Sequence, residues 1–222
     1  MKIYILTLFP EVFESVFTKS IISRAIGRKI LKINLVNIRN FGLGKHEQVD
    51  DKPYGGGEGM VMMAQPIIET LATIKPKPYT ILLSASGTKF SQKKAMALAE
   101  KKSLAIICGH YEGVDARVEK FVNEILSVGD FILTGGEIPA MLVVDSVTRL
   151  LPGVIKSGSI KEESFSKISN LLEYPQYTRP RTYKNLKVPK VLTSGSHKEI
   201  EKWKQEQSIK RTKKFRLDLF KK

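Results

Sequence analysis

Residues 127–153, SVGDFILTGGEIPAMLVVDSVTRLLPG, constrain the fold more than any other stretch of the chain. A short apolar run ends in Thr134-Gly135-Gly136-Glu137, and Pro139 then opens a helix that is apolar on nearly every side. A helix of that kind has to lie in a core. Entry through a Gly-Gly turn brings bare backbone close to whatever fills the turn, which is how main chain makes a small-molecule pocket. Asp145 and Arg149 lie four apart and share one face of this helix. That spacing suits a catalytic arginine at the pocket, and equally a salt bridge within the helix.

The rest of the chain reads as strands alternating with helices. Strands are expected at 3–8, 30–38, 79–84, 104–108 and 124–133, and helices at 10–29, 66–74, 91–102 (capped by Ser91), 115–122 and from 139. The pattern predicts an α/β fold with a mostly parallel sheet covered on both faces. Such sheets place ligands at the carboxyl ends of their strands, where Ser86-Gly87, Gly109 and Gly135-Gly136 fall. Residues 41–59 form a long, polar, glycine-dense loop, and loops of that length in a compact domain are commonly functional.

Charge divides the chain in two. The formal net charge is +15, yet residues 1–150 hold 19 Lys and Arg against 15 Asp and Glu, and residues 151–222 hold 18 against 7. A basic C-terminal third points to a polyanion, with nucleic acid ahead of a membrane surface. A lysine-rich proteome would raise charge throughout and does not account for the asymmetry. Residues 157–169 read as a flexible linker. Residues 174–189 read as an extended basic segment, and Ser196 with Glu199 forms a capping box for a helix.

Several chemistries are excluded. Cys108 is the only cysteine, so neither a disulfide framework nor a thiolate metal cluster is available. His46, His110 and His197 lack metal-ligand spacing, and no serine sits in a nucleophile elbow. Residues 55–59, GGGEG, are not followed by the lysine and hydroxyl of a phosphate loop, and no dinucleotide fingerprint follows a strand. The apolar N-terminal run is too short to span a membrane and shows no cleavage pattern, so a cytoplasmic location is expected. What remains is a pocket of backbone loops with carboxylates at Glu112, Asp115, Asp130, Glu137, Glu162 and Glu163, together with Arg149. That set suits group transfer, in which the protein supplies positioning and one proton acceptor.

The stretches IRNF (38–41), VDDKPYGGGEGM (49–60), CGHYEGVD (108–115), SVGDFILTGGEIPAM (127–141), DSVTRLLPGV (145–154), EESF (162–165), YPQYTRP (174–180) and VPKVLTSGSHKEI (188–200) closely resemble the bacterial tRNA (guanine-N1-)-methyltransferase family, TrmD, in collinear order. The resemblance implies a sheet with a deep trefoil knot of the SPOUT type over 1–156, a linker over 157–169 and a small helical, basic tRNA-binding domain over 170–222. Neither composition nor periodicity could have given the knot.

The resemblance further implies methyl transfer from S-adenosylmethionine to N1 of the guanosine 3′ of the anticodon, position 37. It implies a homodimer with an active site shared between chains, and makes magnesium a candidate cofactor. Carried over by position, the cofactor-binding residues are Leu83, Ser84, Gly87, Gly109, Tyr111, Glu112, Val128, Gly129, Asp130, Phe131, Ile132, Leu133, Gly135, Gly136 and Pro139. The catalytic residues are Arg149, Glu163 and Ser164, and substrate contacts fall on Asp50, Tyr54, Gly55, Gly59, Gln176 and Arg179. Glu163 stands where the family usually has an aspartate. His110, Gln176, Glu58 and Ala85 are further departures from the usual residues. The other readings of this sequence are a catalytically silent RNA-binding protein of the same fold and a nucleotide-binding protein built on the glycine loop.

Overall fold

The computed structural model describes residues 1–166 and 170–220, which fall into two compact units, Met1–Ile155 and Lys156–Lys222. The first unit is built on five parallel strands: β1 (Lys2–Thr7), β2 (Lys32–Asn37), β5 (Tyr79–Lys89), β6 (Ser103–Cys108) and β7 (Glu124–Ser127), in the order β2-β1-β6-β5-β7. A second, two-stranded piece pairs β3 (Asp50–Asp51) with β4 (Val61–Met62).

Period-two alternation along the central strands supplies two separate cores. Ile3 and Ile5, Ile81 and Leu83, and Leu104, Ile106 and Cys108 face one side. They pack there against α1 (Glu14–Phe17), α2 (Ser20–Gly27), α4 (Gln92–Ala99) and α5 (Glu137–Thr148). Leu6, Leu82, Ala105 and Ile107 face the other, against α3 (Ala64–Ala72) and the segment carrying Val49 and Met62. Within the chain only one face of the apolar α5 is buried: Ala140, Val143, Val144 and Val147 have no exposed surface, whereas Ile138 and Leu142 are exposed.

Two expected elements differ. The helix expected over 10–29 is broken. The Thr18 hydroxyl donates back to the Glu14 carbonyl (2.7 Å), Lys19 is extended, and the helix restarts at Ser20. The strand expected over 124–133 stops at Ser127. There the Ser127 hydroxyl donates to the Gly129 carbonyl (3.1 Å) and accepts from the Gly129 N–H (3.2 Å), so a side chain replaces the ladder and turns the chain. Residues 128–133 are therefore loop.

The second unit contains α6 (Ser157–Glu162), a short pair β8 (Thr182–Tyr183) and β9 (Leu186–Lys187), and α7 (His197–Phe215). The segment expected to be a linker thus begins as a helix, and its residues 167–169 lie outside the described residues. Ser196 caps α7 by accepting from the Glu199 N–H (3.4 Å).

Candidate active site

The loops leaving β6 and β7 meet the irregular middle of β5, the strand between them, and line a cleft of about 290 Å³. That lies at the lower end of the roughly 300–1,000 Å³ typical of small-molecule pockets. From β5, where its register slips, come Leu83 and Ser84; from the β6 loop, Gly109, Tyr111 and Glu112. The β7 loop contributes Val128, Gly129, Phe131, Ile132, Leu133, Gly135 and Gly136, and Pro139 follows from α5. Much of the wall is main chain. His110 and Gly135 form an antiparallel bridge, and the Gly136 N–H donates to the Gly109 carbonyl (2.8 Å). A Cβ on Gly136 would lie 2.6 Å from the Cys108 Cα and 2.9 Å from the Gly109 nitrogen, so only glycine lets these two loops touch.

Two of the expected cofactor contacts do not line this cleft. The β5–β7 register slips between Leu83 and Thr88, both of which pair with Leu126. Residues 84–87 bulge there, and Gly87 closes the bulge against β7: a Cβ on it would come within 2.5 Å of the Leu126 nitrogen. Its glycine serves strand packing. Asp130 turns outward to an exposed ion pair with Lys89 (2.5 Å).

Glu137, one of the carboxylates expected around the pocket, has no role among those the family resemblance implies. It opens α5, where a carboxylate suits the positive end of the helix. It is 6 % exposed and accepts from the Thr7 hydroxyl (2.8 Å), whose oxygen in turn accepts from the Phe9 N–H (3.0 Å). Glu137 thereby ties the Gly-Gly turn to the end of β1. Burial, reinforced by the Glu137 charge, pushes the Cys108 thiol well up and keeps it protonated. The four-residue string Thr134–Glu137 carried the signal, because an acidic residue just after a glycine turn is a helix-start pattern.

The glycine loop is tied to the same region. The Glu112 N–H donates to the Met60 carbonyl (3.0 Å), the Met62 N–H to the Gly113 carbonyl (2.9 Å) and the Asp115 N–H to the Met62 carbonyl (2.9 Å). Gly55, Gly56, Gly57 and Gly59 all adopt φ between +84° and +129°, a course closed to other residues at acceptable strain. A Cβ on Gly59 would come within 2.7 Å of the Glu112 side chain. Tyr54 projects fully exposed from this loop, and Asp50 is half-buried in β3. Asp115 receives two side-chain hydrogen bonds from Arg117 (2.9 and 2.6 Å), which hold its carboxyl below the ordinary range despite partial burial.

Arg149 is the C-cap of α5, half-buried, with its N–H donating to the Asp145 carbonyl (3.2 Å). Glu163, Ser164, Gln176 and Arg179 belong to the second unit. Glu163 ends α6 in an extended conformation and is half-buried. The Ser164 hydroxyl accepts from the Glu173 N–H (2.9 Å), and Gln176 donates to the Glu173 carboxylate. Arg179 is exposed. Among the described residues no group of three or more His, Cys, Asp or Glu could hold a metal ion, and no helix is long and apolar enough to cross a membrane.

A parallel α/β unit with a main-chain cleft at three adjacent strands, joined to a basic second unit, defines a small-molecule-binding protein equipped to meet a polyanion. The chain belongs to the tRNA (guanine-1)-methyltransferase TrmD family, whose model matches residues 1–222. It is 52 % identical over 219 residues to a protein of Metamycoplasma arthritidis, spanning 99 % of this chain and 95 % of the relative. A protein of Clostridium botulinum strain Langeland is 52 % identical over 225 residues (100 % and 92 %), and one of Carboxydothermus hydrogenoformans 53 % identical over 224 (100 % and 88 %). All three are named tRNA (guanine-N(1)-)-methyltransferase.

Proposed function

We propose that this chain methylates N1 of the guanosine 3′ of the anticodon, position 37, in tRNA. As a family member it is a tRNA (guanine-N1-)-methyltransferase that uses S-adenosylmethionine as methyl donor. The observation that carries the reading is the cleft itself, in which two loops and a strand segment from separate parts of the chain meet in one main-chain pocket. Backbone N–H and C=O groups at Leu83, Gly109, Leu133 and Gly135 can read a purine edge there. Glu112, at the cleft mouth, offers a carboxylate to a ribose or a cationic sulfur.

S-adenosylmethionine supplies a methyl carbon made electrophilic by its sulfonium. The chain's own residues supply the rest. Guanine N1 carries a proton near neutral pH, and the Glu163 carboxylate would accept it, freeing the N1 electron pair for the methyl carbon that S-adenosylmethionine would supply with its thioether as leaving group. Negative charge then gathers on guanine O6, and the Arg149 guanidinium, a fixed cation, stabilises it. Ser164 hydrogen-bonds the base or the Glu163 carboxylate, and Asp50, Tyr54, Gly55, Gly59, Gln176 and Arg179 contact the RNA. Magnesium has no ready cage of protein ligands among the described residues, and no step passes through it.

In this reading residues 1–156 form a knotted methyl-donor domain and residues 170–222 a basic helical tRNA-binding domain, in a cytoplasmic homodimer. Each site draws on both chains. Exposed Ile138 and Leu142, one helical turn apart on α5, support an apolar contact between copies. The test is methyl incorporation into transcripts bearing guanosine or adenosine at the target position. Only the guanosine transcript should be methylated, and equal incorporation would overturn the assignment. Glu163→Gln should turn over slowly at neutral pH; a rate equal to wild type would move the base elsewhere.

A further inference from the structure

Lys204, Ser208, Thr212 and Arg216 are spaced four apart along α7 and its C-cap, so they form one row on the helix surface. Each of the four engages the segment that carries Glu163 and Ser164. Lys204 donates to the Glu162 carboxylate (3.1 Å), which also accepts from the Tyr174 hydroxyl (2.9 Å). The Ser208 hydroxyl donates to the Leu172 carbonyl (2.6 Å), the Leu172 N–H donates to the Thr212 hydroxyl oxygen (2.9 Å), and the Arg216 guanidinium lies 5.5 Å from the centre of the Phe165 ring.

Leu172 is thus pinned at both of its backbone groups, and its neighbours pass the constraint on. The Leu171 carbonyl accepts from the Phe165 N–H (2.9 Å), and the Glu173 N–H donates to the Ser164 hydroxyl (2.9 Å). Glu163 sits between two anchored residues. Glu162 is held by its side chain, and its carboxyl is drawn below the ordinary range by Tyr174 and Lys204. Ser164 is held by its hydroxyl. Thr212 has no exposed surface, so its oxygen is exchanged for nothing from solvent if removed.

We infer that the Lys204–Ser208–Thr212–Arg216 row is a positioning device for the proton-accepting segment, fixing where Glu163 and Ser164 stand through Leu172 and Glu162. None of the four is a catalytic residue. The inference rests on the reading of Glu163 as proton acceptor, and the experiment separates the two.

Thr212→Val keeps the side chain's shape and removes the oxygen that holds Leu172. In the full chain its kcat under saturating substrates should fall about tenfold to a hundredfold, as misplacement of a reacting group does. Affinities for S-adenosylmethionine and tRNA should stay unchanged, and Thr212→Ser should restore the rate. In a Glu163→Gln background Thr212→Val should cost nothing further, because the group it positions is gone. A wild-type kcat in Thr212→Val overturns the positioning role. So does a loss of tRNA affinity that tracks kcat, which would mean the row only folds the second unit. A full Thr212→Val loss on top of a slow Glu163→Gln overturns it as well and leaves Glu163 as the base. A fast Glu163→Gln instead overturns the base assignment. If Thr212→Val does not fold, half-buried Ser208→Ala carries the same expectations.

Discussion

In the first unit the cleft is walled largely by main chain, and Gly129, Gly135 and Gly136 in its lining have Cβ positions that neighbouring atoms already occupy. In the second unit the Glu163–Ser164 segment hangs on the hydroxyls and cations of one helix. A site made of backbone tolerates most side-chain replacements and fails on added volume; a segment held by side chains fails on the loss of single polar atoms. Under the proposed mechanism the cleft and the Glu163–Ser164 segment should therefore respond to opposite kinds of mutation.

The sharpest way to test that contrast is Arg149→Ala, which removes a side chain from the otherwise backbone-built unit. Turnover should drop about a hundredfold to a thousandfold, the scale of a lost charge-stabilising group, while calorimetry shows S-adenosylmethionine still bound. Full activity in a folded variant would remove Arg149 from the reaction. Gly136→Ala comes next, since overpacking costs about 1–3 kcal/mol. Its Cβ must displace the Cys108 and Gly109 backbone, so both the melting temperature and cofactor affinity should fall. Unaltered cofactor binding would mean that the close loop contact is not needed to form the cleft.

Smaller effects belong to exposed charge. Arg179→Ala with Lys187→Ala should weaken tRNA binding for all sequences alike and flatten the slope of log affinity against log salt by about one per removed charge. An unchanged slope would take these residues off the RNA. The smallest effect is expected at Asp115, whose carboxyl is lowered mainly by Arg117. Stability from a depressed carboxyl is present above its unfolded value, about 3.9, and lost as pH falls through the folded one. Asp115→Asn should therefore melt about 1 °C below wild type at neutral pH, with the gap closing below about pH 4. A gap independent of pH would assign the difference to something other than the ion pair.

How far the fold was legible differs between its elements. The buried α5, the Ser91 and Ser196 caps and the five-strand alternation could be read locally, because caps and periodicity are properties of a few adjacent residues. The break after Thr18 and the end of β7 at Ser127 could not, since propensity favoured continuation, whereas Lys19 is extended and the Ser127 hydroxyl bonds both backbone groups of Gly129. Most cleft residues came from a family resemblance carried position by position. Gly87 and Asp130, carried over with them, instead pack on β7 and pair with Lys89, because a position within a motif does not say which way a residue faces.

By itself, the sequence determined what short-range chemistry can: strands and helices in α/β order, a core helix entered through Gly135-Gly136, a basic last third and a glycine loop. Tertiary structure decided which of these meet. It brought Gly136 onto Cys108, Glu137 onto Thr7 and the Met60–Met62 edge onto Glu112 and Asp115. It also laid Glu162, Phe165 and Leu172 along the row of α7 that begins at Lys204. Hydrogen bonds of 3 Å between residues far apart in the chain depend on packing, and packing belongs to the whole fold.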